Sequence, residues 1–269
     1  MTQSRPASIE PTLVMGAGVP LGHAAGSPLR HGAGSPLGHG AGSPFDDPAG
    51  MPTAPRAIAL VLHGAKVASR GQVHPNALVF LRMQPFARAI EQRGDGVAVA
   101  MLRYRYRGWN EPDLHPVADV EFALRRLEQH YGQVPVILVG HSMGGRAAFR
   151  AAGAPLVRAV VGLAPWLPAG EPVEQLAGRD VAIVHGTRDH TTSAAASARF
   201  AALARPIARQ VACLQVRRSG HAMIRRSELW HRLAAEFVAA TAAGEKFDPV
   251  VASAHAVGCH DCRERGAPA

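Results

Sequence analysis

Aromatic residues make up only 5% of this 269-residue chain, and cysteine occurs three times. Each scarcity excludes something. Cys213, Cys259 and Cys262 cannot all pair and are too few for a dense disulfide framework, so the sequence reads as a protein of a reducing cytoplasm. No apolar run approaches the roughly 20 residues needed to cross a bilayer. No apolar core of a secretory signal follows the early arginine, Arg5, and without an export or anchoring signal the cytoplasm is the expected address. A Lys/Arg run interleaved with aromatics is also missing, which argues against nucleic-acid binding. The net charge is nevertheless +9. Its arginines are spread along the chain and largely accompanied by glutamates, so the excess reads as solvated surface.

What is present fits one sizeable domain with a two-sided core, because 47% of the residues are apolar. Abundant alanine and arginine read as the composition of a GC-rich, bacterial genome. Residues 1–54 stand apart. An eight-residue period runs from Leu21 to Pro44, each copy ends in Gly-Ser-Pro, and His23, His31 and His39 recur with it. Glycine and proline at this density bury too little apolar surface to offset the entropy of ordering, so residues 1–54 are expected to be disordered. One histidine per flexible repeat makes a poor metal site. Residues 244–269 read as a flexible tail. Cys259-His260-Asp261-Cys262 in that tail, with His255 upstream, has a spacing found in zinc sites but lacks the second pair that completes one. No cofactor and no metal are expected.

Residues 55–243 form the candidate domain. Short apolar runs at 57–62, 97–102, 134–139, 157–163, 181–184 and 211–216 read as buried strands. Helical patterns occupy 78–91, 117–130, 143–152, 193–203 and 229–240, with Asp119 and Glu121 expected in the first turn of the second, where negative charge suits the dipole. This alternation predicts an α/β fold: a mostly parallel central sheet with helices on both faces. Chemistry on such sheets collects beyond the carboxyl ends of the strands.

Three reactive residues follow predicted strands there. Gly140-His141-Ser142-Met143-Gly144 leaves the run at 134–139 and opens a helix. A turn this tight lifts the middle side chain clear of the sheet, and small residues on either side allow the close approach. A serine hydroxyl is a weak nucleophile and needs a base oriented by a carboxylate. His185-Gly186-Thr187-Arg188-Asp189 supplies a carboxylate after one strand, and Ser219-Gly220-His221 an imidazole after the next. The order Ser142, Asp189, His221 is the one such triads take on this kind of sheet. The backbone N–H groups of Ala65, after the first strand, and Met143 are the expected oxyanion donors. His63 is expected to brace its loop.

These motifs resemble those of the α/β-hydrolase superfamily. LVLHGA, VGHSMGG, VHGTRD and SGHAM over residues 56–242 are similar to monoacylglycerol lipases and serine aminopeptidase-like members. The resemblance implies an eight-stranded, mostly parallel sheet and hydrolysis through an acyl-enzyme, with Ser142 as nucleophile, Asp189 as orienter and His221 as base and then acid. Many relatives insert a helical cap before the acid. Here residues 166–179 hold only a Pro- and Gly-containing connection, so little or no cap is expected, as in small carboxylesterases. The implied partner is a small ester-type substrate, with Trp109, Trp166 and His141 as candidate contacts. Arg103, Arg105, Arg107, Arg217, Arg218, Arg225 and Arg226 read as basic surface, a subset being the alternative site for an acidic substrate group. An acyltransferase on the same triad and a non-catalytic ligand-binding protein are the competing functions.

Overall fold

The apolar runs line up as one twisted platform. The structure is a computed structural model and describes residues 9–16 and 54–247, with the backbone of 256–258. In chain order the strands are β1 (Thr12–Met15), β2 (Ala57–Leu62), β3 (Val97–Arg103), β4 (Val136–His141), β5 (Val157–Leu163), β6 (Asp180–Gly186), β7 (Gln210–Val216) and β8 (Ala256–Gly258). They form one eight-stranded sheet in the order β1-β3-β2-β4-β5-β6-β7-β8. Strands β3 to β7 and β2 pair in parallel, while β1 and β8 close the two edges antiparallel.

Side chains alternate across this sheet with period two. Ile58, Leu60 and Leu62 enter one apolar cluster, while Ala57, Ala59 and Val61 enter the other. Helices α3 (His115–Tyr131), α4 (Met143–Ala151) and α5 (Ala194–Ala204) cover the first face through Val120, Ala147 and Phe200. The short α1 (Leu78–Leu81), α2 (Gln84–Arg93) and α6 (Ser227–Ala242) cover the second through Phe80, Phe86 and Trp230. Burial on both faces is why the strands read as continuous apolar runs. Each fully buried aliphatic side chain contributes roughly 1.5–3 kcal/mol. Between β5 and β6 the chain makes only one 3₁₀ turn, Glu174–Leu176, so no cap covers the carboxyl end of the sheet there.

Four features differ from the sequence reading. Thr12–Met15 was expected in an unstructured segment, yet it pairs with β3 and buries Leu13 and Met15, because the period-two pattern of four residues suffices once a sheet edge is offered. Ala256–Gly258 likewise joins β7 from the expected tail. Helix α3 begins at His115, so Asp119 lies beyond its first turn. Its side chain is fully buried and accepts from Arg105 Nε at 2.6 Å and Arg105 N–H at 3.0 Å. A buried carboxylate is retained because it is paired and hydrogen-bonded, not because of the dipole. Cys213, read as a reduced thiol, is disulfide-bonded. The histidine repeats and the 259–262 motif lie outside the described residues.

Candidate active site

Ser142 occupies the junction of β4 and α4 with φ 55° and ψ −118°. A side chain held there costs about 1–3 kcal/mol, so the surroundings must impose it. The Ser142 N–H donates to Leu163 O at 3.0 Å, and Ser142 O accepts from Trp166 N–H at 3.0 Å. Both flanking glycines are sterically required. A Cβ on Gly140 would overlap Gly144 O, and one on Gly144 would lie 2.5 Å from His63 O. The HGA loop packs against the same turn: a Cβ on Gly64 would lie 3.1 Å from Ser142 Cβ. The amides of Ala65 and Met143 thus belong to segments that meet at the serine.

The three side chains expected to cooperate are brought together. Ser142 Oγ lies 3.0 Å from His221 Nε2, and His221 Nδ1 lies 2.8 Å from Asp189 Oδ2. With Nδ1–H donating to the carboxylate, Nε2 is left to accept from the hydroxyl. Asp189 Oδ1 also accepts from the N–H groups of Thr191 and Thr192 at 2.8 and 2.9 Å. Burial alone would raise the Asp189 carboxyl, but hydrogen bonds from His185, His221, Thr192 and Thr191 outweigh it and hold the carboxyl far below its ordinary value.

Two of the carboxylate's partners were not singled out in the sequence. His185 Nε2 lies 3.2 Å from Asp189 Oδ2, and its Nδ1 lies 2.9 Å from Ser197 Oγ. Thr192 Oγ1 lies 2.9 Å from Asp189 Oδ2 and 3.1 Å from Ala164 O. His185 stands four residues before Asp189 in a strand-loop motif, and that spacing was the available signal. Thr192 gave none beyond following the acid.

The other candidates separate. His63 braces its loop as expected: Nδ1–H donates to Gly64 O at 2.8 Å, and Nε2 accepts from Tyr104 N–H at 3.3 Å. Burial lowers its pKa to about 4, with Arg103 adding to the effect against the Gly64 hydrogen bond. His141, a candidate substrate contact, is buried, with Nε2 3.0 Å from His221 O. Trp109 and Trp166 line a cleft of about 830 Å³, together with Ser69, Arg70 and Glu111. Between the two indoles lies Arg146, 4.1 Å from one ring centre and 4.4 Å from the other. Its Nε donates to the buried Glu171 at 2.6 Å. The sequence reading missed Arg146 because stacking partners are distant in the chain.

Of the arginines near strand ends, Arg103 bonds Thr12 Oγ1, Arg105 pairs with Asp119 and Arg107 donates to Gln72 O. Arg217, Arg218, Arg225 and Arg226 are exposed. Among the described residues no group of three or more His, Cys, Asp or Glu side chains stands close enough to hold a metal ion, and no helix is long and apolar enough to cross a membrane.

Comparison with known proteins agrees with this architecture. Residues 86–204 match the family model described as alpha/beta hydrolase fold. No curated protein matches the chain. Among solved structures it is similar to an alpha-beta serine hydrolase homologue from Coxiella burnetii, at 18% identity and TM-score 0.54, covering 70% of this chain and 86% of that one. A serine hydrolase without lid from Xanthomonas campestris aligns at 15% identity and TM-score 0.53, covering 75% and 88%. A thermophilic esterase from Thermogutta terrifontis, determined with butyrate bound, aligns at 18% identity and TM-score 0.54, covering 73% and 86%. At such identities the likeness concerns the fold. With its strand order, its strained serine turn and the matched segment, the chain has the alpha/beta hydrolase fold.

Proposed function

We propose that the protein is a serine hydrolase that cleaves an ester, or a related acyl bond, of a small substrate through an acyl-enzyme on Ser142. The observation that carries this reading is the unbroken line from Ser142 Oγ through His221 to Asp189, with separations of 3.0 and 2.8 Å. In the first half-reaction, Oγ attacks the acyl carbon as its proton passes to His221 Nε2. The imidazolium so formed faces the Asp189 carboxylate and then protonates the leaving alcohol. Water repeats the sequence in reverse roles and frees Ser142. The tetrahedral oxyanion is stabilised by the amides of Ala65 and Met143, the second of which opens α4 and adds the positive end of its dipole.

Support for hydrolysis of esters comes from the fold and from esterases among the similar structures. The open cleft walled by Trp109 and Trp166, the second of which donates its backbone N–H to Ser142 O at 3.0 Å, is the proposed substrate site. The reading is tested with a fluorophosphonate probe and p-nitrophenyl esters of graded chain length. Labelling and hydrolysis by the wild type, both lost in Ser142→Ala, are expected. A wild type that neither labels nor turns over identifies a non-catalytic binding protein. Transfer products that dominate when alcohol is added identify an acyltransferase.

A further inference from the structure

Asp189 Oδ2 lies within reach of two imidazoles, His221 Nδ1 at 2.8 Å and His185 Nε2 at 3.2 Å. The side chains of His185 and Asp189 are 1% and 0% exposed, so each must find its partners within the protein. The other ring nitrogen of His185, Nδ1, lies 2.9 Å from Ser197 Oγ on α5, and Ser197 is buried as well. These contacts fix which nitrogen carries the proton. A carboxylate only accepts hydrogen bonds, so His185 Nε2 must donate for its 3.2 Å approach to Asp189 to be attractive. Nδ1 is then bare and accepts from the Ser197 hydroxyl. The opposite tautomer would set two lone pairs against each other in a buried site. Thr192 Oγ1 could relieve that only by donating to His185 Nε2 at 3.3 Å, giving up Asp189 Oδ2 at 2.9 Å.

We propose that His185, its tautomer fixed by Ser197, is a positioning residue that holds the Asp189 carboxylate in line with His221; the inference rests on the hydrolase reading above. Asp189 Oδ1 is anchored by the Thr191 and Thr192 amides at 2.8 and 2.9 Å. Contacts to Oδ1 alone would leave the carboxylate room to rotate. His185 Nε2–H and the Thr192 hydroxyl fix Oδ2, the oxygen that faces His221. His185 belongs to β6 and Ser197 to α5, so a strand and a covering helix, and not the loop alone, place the acid. A displaced carboxylate would release the orientation of His221, and a misplacement of about 1 Å costs on the order of 10²-fold in rate. No proton leaves His185 during turnover.

The test compares His185→Gln with His185→Asn in the full chain. Glutamine carries an amide N–H to the place of Nε2, whereas asparagine carries it only as far as Nδ1. Against a p-nitrophenyl ester, His185→Asn is expected to lower kcat about 10- to 100-fold with KM unchanged, while His185→Gln keeps kcat within about threefold of wild type. Equal losses in the two variants, or no loss in His185→Asn, would overturn the proposal and leave the hydrolase reading standing. Nitrogen NMR of isotopically labelled histidines in the wild type requires no variant to fold. A His185 ring protonated at Nε2 alone is expected, and a proton on Nδ1 overturns the proposal. A wild type that turns over no ester overturns the hydrolase reading and this role with it.

Discussion

His141 Nε2 donates to the backbone carbonyl of His221 at 3.0 Å, so the residue before the candidate nucleophile fixes the loop of the candidate base. The two rings lie 4.8 Å apart. Burial first, and the neighbouring His221 second, lower the pKa of His141 to about 3, so the His141 ring stays neutral near pH 7. Because the brace acts on backbone, it positions without joining the proton path.

His141→Ala is therefore expected to lower kcat about 10- to 100-fold while leaving the pH at half-maximal activity in place. Steady-state kinetics across pH on an ester substrate would check this. A shifted profile would assign His141 a titrating role instead.

Asp189→Asn preserves shape but allows the opposite tautomer of His221. The expected loss in kcat is about 10⁴-fold with little change in KM, measured in the same assay. Retention of more than a tenth of wild-type activity would remove Asp189 from the mechanism.

Strain at Ser142 makes an opposite prediction for stability. Ser142→Gly removes the side chain that disfavours φ 55°, and should stabilise the fold by about 1 kcal/mol, a rise in Tm of roughly 2–4 °C, while abolishing hydrolysis. Thermal melts of the two proteins decide the matter. An unchanged or lower Tm would mean that the hydroxyl's hydrogen bond to His221 outweighs the strain.

Gly144→Ala tests the closeness of turn and loop. Its Cβ would meet His63 O at 2.5 Å, where backbone, and not a flexible side chain, must yield. A loss of about 3 kcal/mol or more, or failure to fold, is expected from denaturant midpoints. A change below about 1 kcal/mol would show that the two segments separate easily.

Acid should destabilise the protein early. His63 and His141 have folded pKa values lowered to about 4 and about 3 from 6.5, so the unfolded chain binds more protons at these sites. Their neutral forms contribute stability above pH 6.5 that is lost as pH falls towards those values, on the order of 3 kcal/mol each. Asp189, also depressed, loses its share only below its ordinary carboxylate value. Melts between pH 8 and pH 4 should therefore show Tm falling from about pH 6.5 downward. A flat Tm across that range would contradict the burial argument.

Much of this was legible in the residues, for definable reasons. Strands buried on both faces leave continuous apolar runs, so all six inner strands were found within a few residues. The Gly140-to-Gly144 turn announces itself because its steric needs are local. Asp189 and His221, singled out because each follows a strand, do come together beside Ser142. Contacts that depend on register or on distant stacking left no local trace. Thr12–Met15 and Ala256–Gly258 pair only because a sheet edge awaits them. Arg146 reads as any helix cation until Trp109, Trp166 and Glu171 surround it. Asp119 was assigned to a helix dipole because its partner Arg105 lies on another element.

The bare connection from β5 to β6 has a kinetic meaning. If the protein is the ester hydrolase proposed above, then, with no hinged cover among the described residues of that connection, admission of ester and departure of alcohol need no slow rearrangement there. Turnover on soluble and on micellar esters should then follow one saturation curve, without the abrupt rise at the critical micelle concentration that gated lipases display.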